Sequence, residues 1–472
     1  MPAQIRHRKD STAAVLMIIP GIFLLVMLAG LHQLRSRSPE LGPLVDVDVR
    51  RSSFTSGGIP GSAPASRFEP QQIRVVLHEG LLSSATVECT APYIIHDFVS
   101  GRPLAHGQLL RAATIEAMPT GLRVGPHLLD TSAIRILPQG NALLGFDNHF
   151  YRGSMTVHRT GSEQGLKLKP TFSLVNHVPL ETYVATVVDS EMPATFPQEA
   201  RCAQAIVART YAIARHKTAL PSALFDVYAS TRSQKYLGAE YINREGRRLK
   251  GETAAGIAAA QSTAGMVVTY EGQIITSYYS AVCGGRTLDG QTMSQRTAPC
   301  LKSVVCEGCR NAPLYRWQAS ISGQDLLQKL SDSRKSADLS TMSSANLATL
   351  MTIRMRQDSK GSLPTFTLTD GRNFQQLSSI ELRRMLGNRE LPSPQFSLKL
   401  TNDQIEIEGQ GSGHCVGFCQ WGARGMAQTG LTAQGIVQHY YPGADVVKYQ
   451  AQPLHFAEAP HVASGTSGKA TR

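Results

Sequence analysis

The nine residues "DSEMPATFP", 189–197, decide how the middle of the chain folds. Just upstream, "VPLETYVATVVDSEM" carries Leu180, Tyr183, Val184, Val187 and Val188 at helical spacing. Met192 precedes Pro193, and a proline ring pushes the residue before it out of helical geometry. The first helix therefore ends close to Glu191. Pro197 is tolerated in the first turn of a second helix. Glu199 then falls in that helix's first turn, and Arg215, His216 and Lys217 in its last, both favourable to the helix dipole. In between, Ala200, Ala203, Val207, Tyr211 and Ala214 make one buried stripe. Two helices thus meet at a joint that holds two carboxylates, Asp189 and Glu191.

On the N-terminal side of this pair the pattern is different. Short alternating runs begin at Gln72: "IRVVL", "ATVEC", "YIIHD", then "LRV", "AIRIL", "SMTVHR" and "LKLKP", separated by Gly, Asn and Pro. On the C-terminal side, "GMVVTYEGQIITSYYSAV", 265–282, reads as two strands around a turn at Glu271-Gly272. "SSIELRRMLG", 378–387, reads as a helix, and "QFSLKL" and "QIEIEG" as strands. The expected fold class is α+β: a β-rich part over 71–170, then a mixed part over 171–449 that contains the helical segment. After Tyr449 the composition turns to Ala, Gly, Ser and Thr, and 450–472 is expected to be a disordered tail.

The N-terminus bears on compartment. "AAVLMIIPGIFLLVMLAGL", Ala13 to Leu31, has no charge and is long enough for a transmembrane helix, which needs roughly 17–25 residues. Arg6, Arg8 and Lys9 precede it, so residues 1–12 are expected in the cytoplasm and the rest outside. A cleaved signal peptide ending near Leu28-Ala29-Gly30 is the rival reading. Residues 32–70, rich in Ser, Pro, Gly and Arg, read as a flexible linker. The formal net charge is +12, from 47 Lys and Arg against 35 Asp and Glu. Such an excess favours an anionic partner. The basic residues are spread rather than interleaved with aromatics, and no nucleic-acid-binding module is present, so nucleic acid is not the expected partner.

The chain has 8 cysteines: Cys89, Cys202, Cys283, Cys300, Cys306, Cys309, Cys415 and Cys419. An even number outside the cytoplasm favours disulfides. The alternative is a four-thiolate zinc site at Cys283, Cys300, Cys306 and Cys309, which contain one C-x-x-C pair. The preferred reading is disulfides, with no metal and no cofactor. Cys415 and Cys419, four apart, suit a local disulfide, a metal shared with His414, or simple space filling.

Among residues that could do chemistry, Glu191 comes first. At a helix C-terminus it faces carbonyls of partial negative charge, and Asp189 is close in sequence; both would raise its pKa. A carboxyl kept protonated near neutral pH is equipped to act as a general acid. The competing reading is a solvated acid at a helix end. The stretch "GQGSGHCVGFCQWGARGMAQTG", 409–430, is the second constellation, with glycines that allow unusual backbone angles beside His414, Gln420 and Trp421. Trp421 is expected to stack on a ligand face, and Gln420 and His414 to bond its hydroxyls. Arg286, in "SAVCGGRT", either lines the same groove or belongs to a plain turn.

Taken together, "VNHVPLETYVATVVDSEMPATFPQEARCAQAIVARTYAIAR", "QKYLGAE", "YYSAVCGGRT", "GHCVGFCQWGARGMAQTG" and "IVQHYYPGA" resemble the SpoIID/LytB family, the stage II sporulation protein D and amidase-enhancer group. The resemblance spans roughly residues 72–445. It implies a membrane-anchored or secreted protein acting on peptidoglycan, with sporulation itself not implied. It places the family's catalytic glutamate at Glu191, in a lytic-transglycosylase-like reaction. The second reading it allows is a wall-binding activator of a peptidoglycan amidase. This sequence departs from the family in two places. Some members hold zinc through Cys and His just before the Q-x-Y segment; here that stretch is "FDVYASTRSQKY", 225–236, with Arg232 and Ser233 where ligands would stand. In the glycine-rich motif Cys415 replaces a Gly and Cys419 a Ser.

Overall fold

The computed structural model describes residues 72–160, 169–335, 350, 352–358 and 362–449. The segments expected as cytoplasmic N-terminus, anchor or signal, linker and tail, 1–12, 13–31, 32–70 and 450–472, lie outside the described residues. Among those described, no helix is long and apolar enough to cross a membrane. The fold is mixed α+β.

Two sheets build the first part, antiparallel throughout except that 227–228 pairs parallel with 72–76. The seven-stranded sheet runs, edge to edge, 227–228, 72–76, 171–179, 154–160, 133–138, 93–97 and 103–107. The eight-stranded sheet runs 248–250, 240–242, 149–151, 144–146, 84–89, 110–118, 121–124 and 127–129. The strands form where side chains alternate: Ser84–Cys89 buries every second residue, as a pleat with one face on a core requires. The strand Thr171–Pro179 sits inside the larger sheet, and residues after 225 add strands to both sheets. The sheets therefore draw on chain well past 170. "LKLKP" behaves differently from the expected strand: 169–170 are irregular, and the rest of it lies outside the described residues.

Seven helices occur among the described residues: α1 (Leu180–Glu191), α2 (Gln198–Thr218), α3 (Ala254–Ser262), α4 (Gly323–Lys335), α5 (Ser379–Leu386), α6 (Gln420–Gln428) and α7 (Ala433–Tyr440). The first ends as its sequence dictates. Met192, ahead of Pro193, takes an extended conformation (φ −127°, ψ 137°), and α2 opens after Pro197. Ala200, Ala203, Val207, Tyr211 and Ala214 are all buried.

The α1–α2 pair is antiparallel, and its polar contacts show why. Glu181 pairs with Arg209, at 2.6 Å and 2.8 Å to its two carboxylate oxygens, while Asp189 pairs with Arg201. Residues eight apart on one helix thus meet residues eight apart on the other in reverse order. Both arginines are essentially inaccessible to solvent. Buried ions hold when paired and hydrogen-bonded: Arg209 also donates to the Ala260 and Met266 carbonyls, and Arg201 to the Pro193 carbonyl, with the Arg201 Nε left without a partner among the described residues.

One continuous apolar core joins the sheets, α1, α2, α3, α6 and α7. A second cluster, from Trp317 to Ile407, belongs to two three-stranded sheets together with α4 and α5. The turn at Glu271-Gly272 has both residues at positive φ (49° and 76°), the geometry of a tight hairpin between right-twisted strands. At α5 the N-cap is a reciprocal Ser378–Glu381 capping box.

Candidate active site

Glu191 is the last residue of α1, and its side chain enters a cavity of about 230 Å³. Several parts of the chain line it, among them Tyr211 of α2 and the loop 412–414, and three place the groups around the carboxylate. The first is α1 itself. The second is the loop 231–233, which supplies Arg232 and Ser233 to the wall. The third is a parallel strand pair, Tyr279–Ser280 against Phe418–Cys419, in register Tyr279↔Phe418 and Ser280↔Cys419. This pairing sets Tyr279 beside Gln420, which opens α6.

The carboxylate is held by three donors. Its Oε1 accepts the Lys235 backbone N–H at 2.8 Å and the Tyr279 hydroxyl at 3.2 Å. Its Oε2 has the longer contact, 3.5 Å from Gln420 Nε2, which also donates to Gln204 Oε1 at 3.3 Å. Oε2 is thus the less engaged oxygen. Burial raises the Glu191 pKa, and the donors from Lys235, Gln420 and Tyr279 offset this only in part. The direction matches expectation, but the cause differs. Asp189 contributes nothing of the kind: it points away from the cavity, onto Arg201 and onto Thr253, whose N–H and hydroxyl donate at 2.6 Å and 2.9 Å.

His414 lines the same cavity. Its Nδ1 accepts the Val416 N–H at 3.1 Å, and burial, with Arg383 nearby, pushes its pKa down to about 4. At neutral pH it is an uncharged imidazole. The loop that presents it is shaped by glycine: Gly417 has φ 66°, and a Cβ there would run into the Tyr278 carbonyl. Cys415 adopts φ 62° with its side chain fully buried. The loop thus makes a left-handed turn here although a Cβ is present.

Two expected binding residues lie elsewhere. Trp421 follows Gln420 on α6, so it projects about 100° around the helix from it. Its ring packs edge-on against Phe196, 5.4 Å between centroids, with the Arg424 guanidinium 5.0 Å away. It therefore braces the connection that follows Glu191 rather than lining the cavity. Arg286 pairs through its backbone with Val305 on the cysteine-bearing loop and is not a wall residue. The stretch 225–236 contains no thiol or imidazole.

Sequence reasoning missed Tyr279, Gln204 and the Lys235 N–H. Gln204 left one trace, a polar residue on the otherwise apolar face of α2, where it is fully buried. A backbone donor leaves none.

The cysteines also depart from expectation. None of the eight forms a disulfide, and all are buried. Four converge, but the set is Cys283, Cys306, Cys309 and Cys419, with Cys300 outside it. Cys419 reaches the group because the parallel strand pair carries it to Ser280, three residues before Cys283. Spacing along the chain cannot reveal that.

A family model described as "Stage II sporulation protein" matches residues 169–270, which include α1, α2 and Glu191. Stage II sporulation protein D of Bacillus subtilis is 30% identical over 310 residues, covering 63% of this chain and 80% of that one. The chain belongs to the SpoIID family. An uncharacterised protein of Brachyspira hyodysenteriae is 34% identical over 292 residues, 61% of this chain and 72% of that one. The amidase enhancer of Bacillus subtilis is 25% identical over 302 residues, 56% of this chain and 40% of that one.

Proposed function

We propose that this SpoIID-family chain cleaves the glycan strands of peptidoglycan, with Glu191 as a single acid/base. The observation that carries the reading is the position of Glu191: among the described residues it is the one carboxyl in the cavity wall, and burial raises its pKa. A hydrolase built on two carboxylates would need a second across the sugar to activate water. A lytic transglycosylase needs none.

In this mechanism protonated Glu191, through Oε2, gives its proton to the glycosidic oxygen as the bond to C1 breaks. The resulting carboxylate, steadied by Tyr279, Gln420 and the Lys235 N–H, then takes the proton of the muramic 6-hydroxyl as that oxygen bonds to C1. An anhydro ring closes and Glu191 ends in its starting form. Neutral His414, Arg232 and Ser233 supply hydrogen bonds for sugar hydroxyls. In the same reading residues 13–31 hold the chain at the membrane and the site works outside the cytoplasm.

The amidase enhancer among the relatives favours a second reading, a non-enzymatic activator of a peptidoglycan amidase. The experiment that separates the two is product analysis on purified, amidase-stripped wall. Glu191→Gln should lower release of anhydro-muropeptides by at least about 100-fold, the lower end of what general acid–base catalysis contributes, and leave wall binding unchanged. Normal release by the variant would refute the enzymatic reading, and no release by the wild type, with stimulation of an added amidase, would establish the second.

A further inference from the structure

We propose that Cys283, Cys306, Cys309 and Cys419 hold one tetrahedral zinc ion, which pins together the two chain segments that carry Tyr279 and Gln420. The four sulfurs all lie within 4.8 Å of one another. A tetrahedron with zinc–sulfur bonds near 2.3 Å has edges of about 3.8 Å. Cys283 and Cys309 are 3.7 Å apart, sulfur to sulfur, far longer than the roughly 2.05 Å of a disulfide. Mutual distances no longer than 4.8 Å suit one ion and are too short to enclose a multi-iron cluster. Four thiolates in a tetrahedron select zinc or iron among the first-row metals.

The surroundings are those a buried metal thiolate requires. The four side chains are fully buried, so the net double negative charge of a zinc tetrathiolate has to be met by donors from the protein. They are in place. The Cys283 and Gly422 N–H groups each lie 3.3 Å from Cys419 Sγ, and the Tyr440 hydroxyl lies 3.1 Å from Cys306 Sγ. Cys419 is also the N-cap of α6, where the helix dipole favours negative charge. Gly308, between Cys306 and Cys309, lets this turn approach α6 closely, because a Cβ there would meet the Gly422 carbonyl at 2.5 Å. The Cys at 419, where the family motif has Ser, thereby acquires a reason. On binding, each thiol releases its proton to solvent as its sulfur bonds to zinc, and no oxidant is involved.

The ion would act on the cavity through the chain. Cys419 immediately precedes Gln420, and Cys283 lies two residues beyond Ala281 of the cavity wall. The inference stands whether or not Glu191 is catalytic.

The test is elemental analysis of the full chain purified under reducing conditions, with intact mass and cysteine mapping on the same sample. One zinc per chain is expected, with Cys283, Cys306, Cys309 and Cys419 protected from alkylation until a chelator is added. Cys283→Ser and Cys309→Ser should lose the zinc. Cys300→Ser, Cys415→Ser and Glu191→Gln should keep it, so that failure here and failure of the enzymatic reading are told apart. If the ligand variants do not fold, exchange of cadmium into the wild type should give a thiolate-to-cadmium absorption band of four-thiolate intensity. Metal content near zero, iron in place of zinc, a disulfide among these four cysteines, or equal loss of zinc in Cys300→Ser would overturn the proposal.

Discussion

The Tyr279 hydroxyl donates to Glu191 Oε1 at 3.2 Å, tying the end of α1 to a strand 88 residues further along the chain. The bond favours the ionised carboxylate, against burial, which favours the acid. Removing it in Tyr279→Phe should raise the Glu191 pKa further. If Glu191 is the general acid, activity is lost as pH rises through that pKa. The descending limb of the pH–rate profile should therefore move to higher pH, by less than about one unit, since a hydrogen bond contributes about 1 kcal/mol net. A limb that stays in place would show that Tyr279 does not tune this carboxyl.

Asp189 invites the opposite result. Its side chain is 4% exposed and that of its partner Arg201 1%. Asp189→Ala leaves a buried guanidinium without its counter-charge, which costs about 3–5 kcal/mol. The denaturation midpoint should fall accordingly, while the pH–rate profile of the folded fraction keeps its shape. A shifted profile would mean that Asp189 does act on Glu191.

Acid sensitivity should come from a histidine pair in the seven-stranded sheet. The Thr156 hydroxyl lies 3.0 Å from His177 Nε2 and 2.9 Å from His158 Nε2. Burial, followed by the nearby Arg135, depresses both pKa values from 6.5, to about 3 for His177 and about 4 for His158. In the unfolded chain both imidazoles protonate near pH 6.5, whereas in the fold they stay neutral. Their contribution to stability is therefore fully present above pH 6.5 and lost progressively as pH falls from 6.5 to the folded values. The loss should be roughly 2 kcal/mol per histidine by pH 5, with the pair giving less than twice that because they share Thr156. Urea titrations between pH 7 and 4.5 should show this slope, and His158→Gln or His177→Gln should flatten it. An unchanged slope would assign acid sensitivity to other groups.

Cys415 tests the glycine-rich loop. Its φ of 62° is costly for a side-chain-bearing residue, by about 1 kcal/mol, yet its buried thiol returns a similar amount. Cys415→Gly should therefore change stability by no more than about 1 kcal/mol. Cys415→Val brings a β-branched residue to a left-handed position in a filled space and should cost 2 kcal/mol or more. Equal effects of the two substitutions in urea would show that backbone strain is not what sets this site.

By itself the sequence determined what neighbouring residues decide. Proline sterics at Met192-Pro193 ended α1 at Glu191; helical periodicity marked the buried stripe of α2; Glu271-Gly272 and Ser378–Glu381 set a hairpin and a cap. Each of these acts over a few residues, so the pattern contains its own cause. Tertiary structure decided what meets what. Gln420 contacts a carboxylate 229 residues away, Gln204 turns a polar end into an apolar interface, and Cys419 rather than Cys300 joins the other three thiols. Which face of α6 turns inward decided that Gln420 enters the cavity and Trp421 does not. Such convergence depends on strand pairing and on the packing of distant segments into one core, and spacing along the chain does not encode the distance between side chains that only folding brings together.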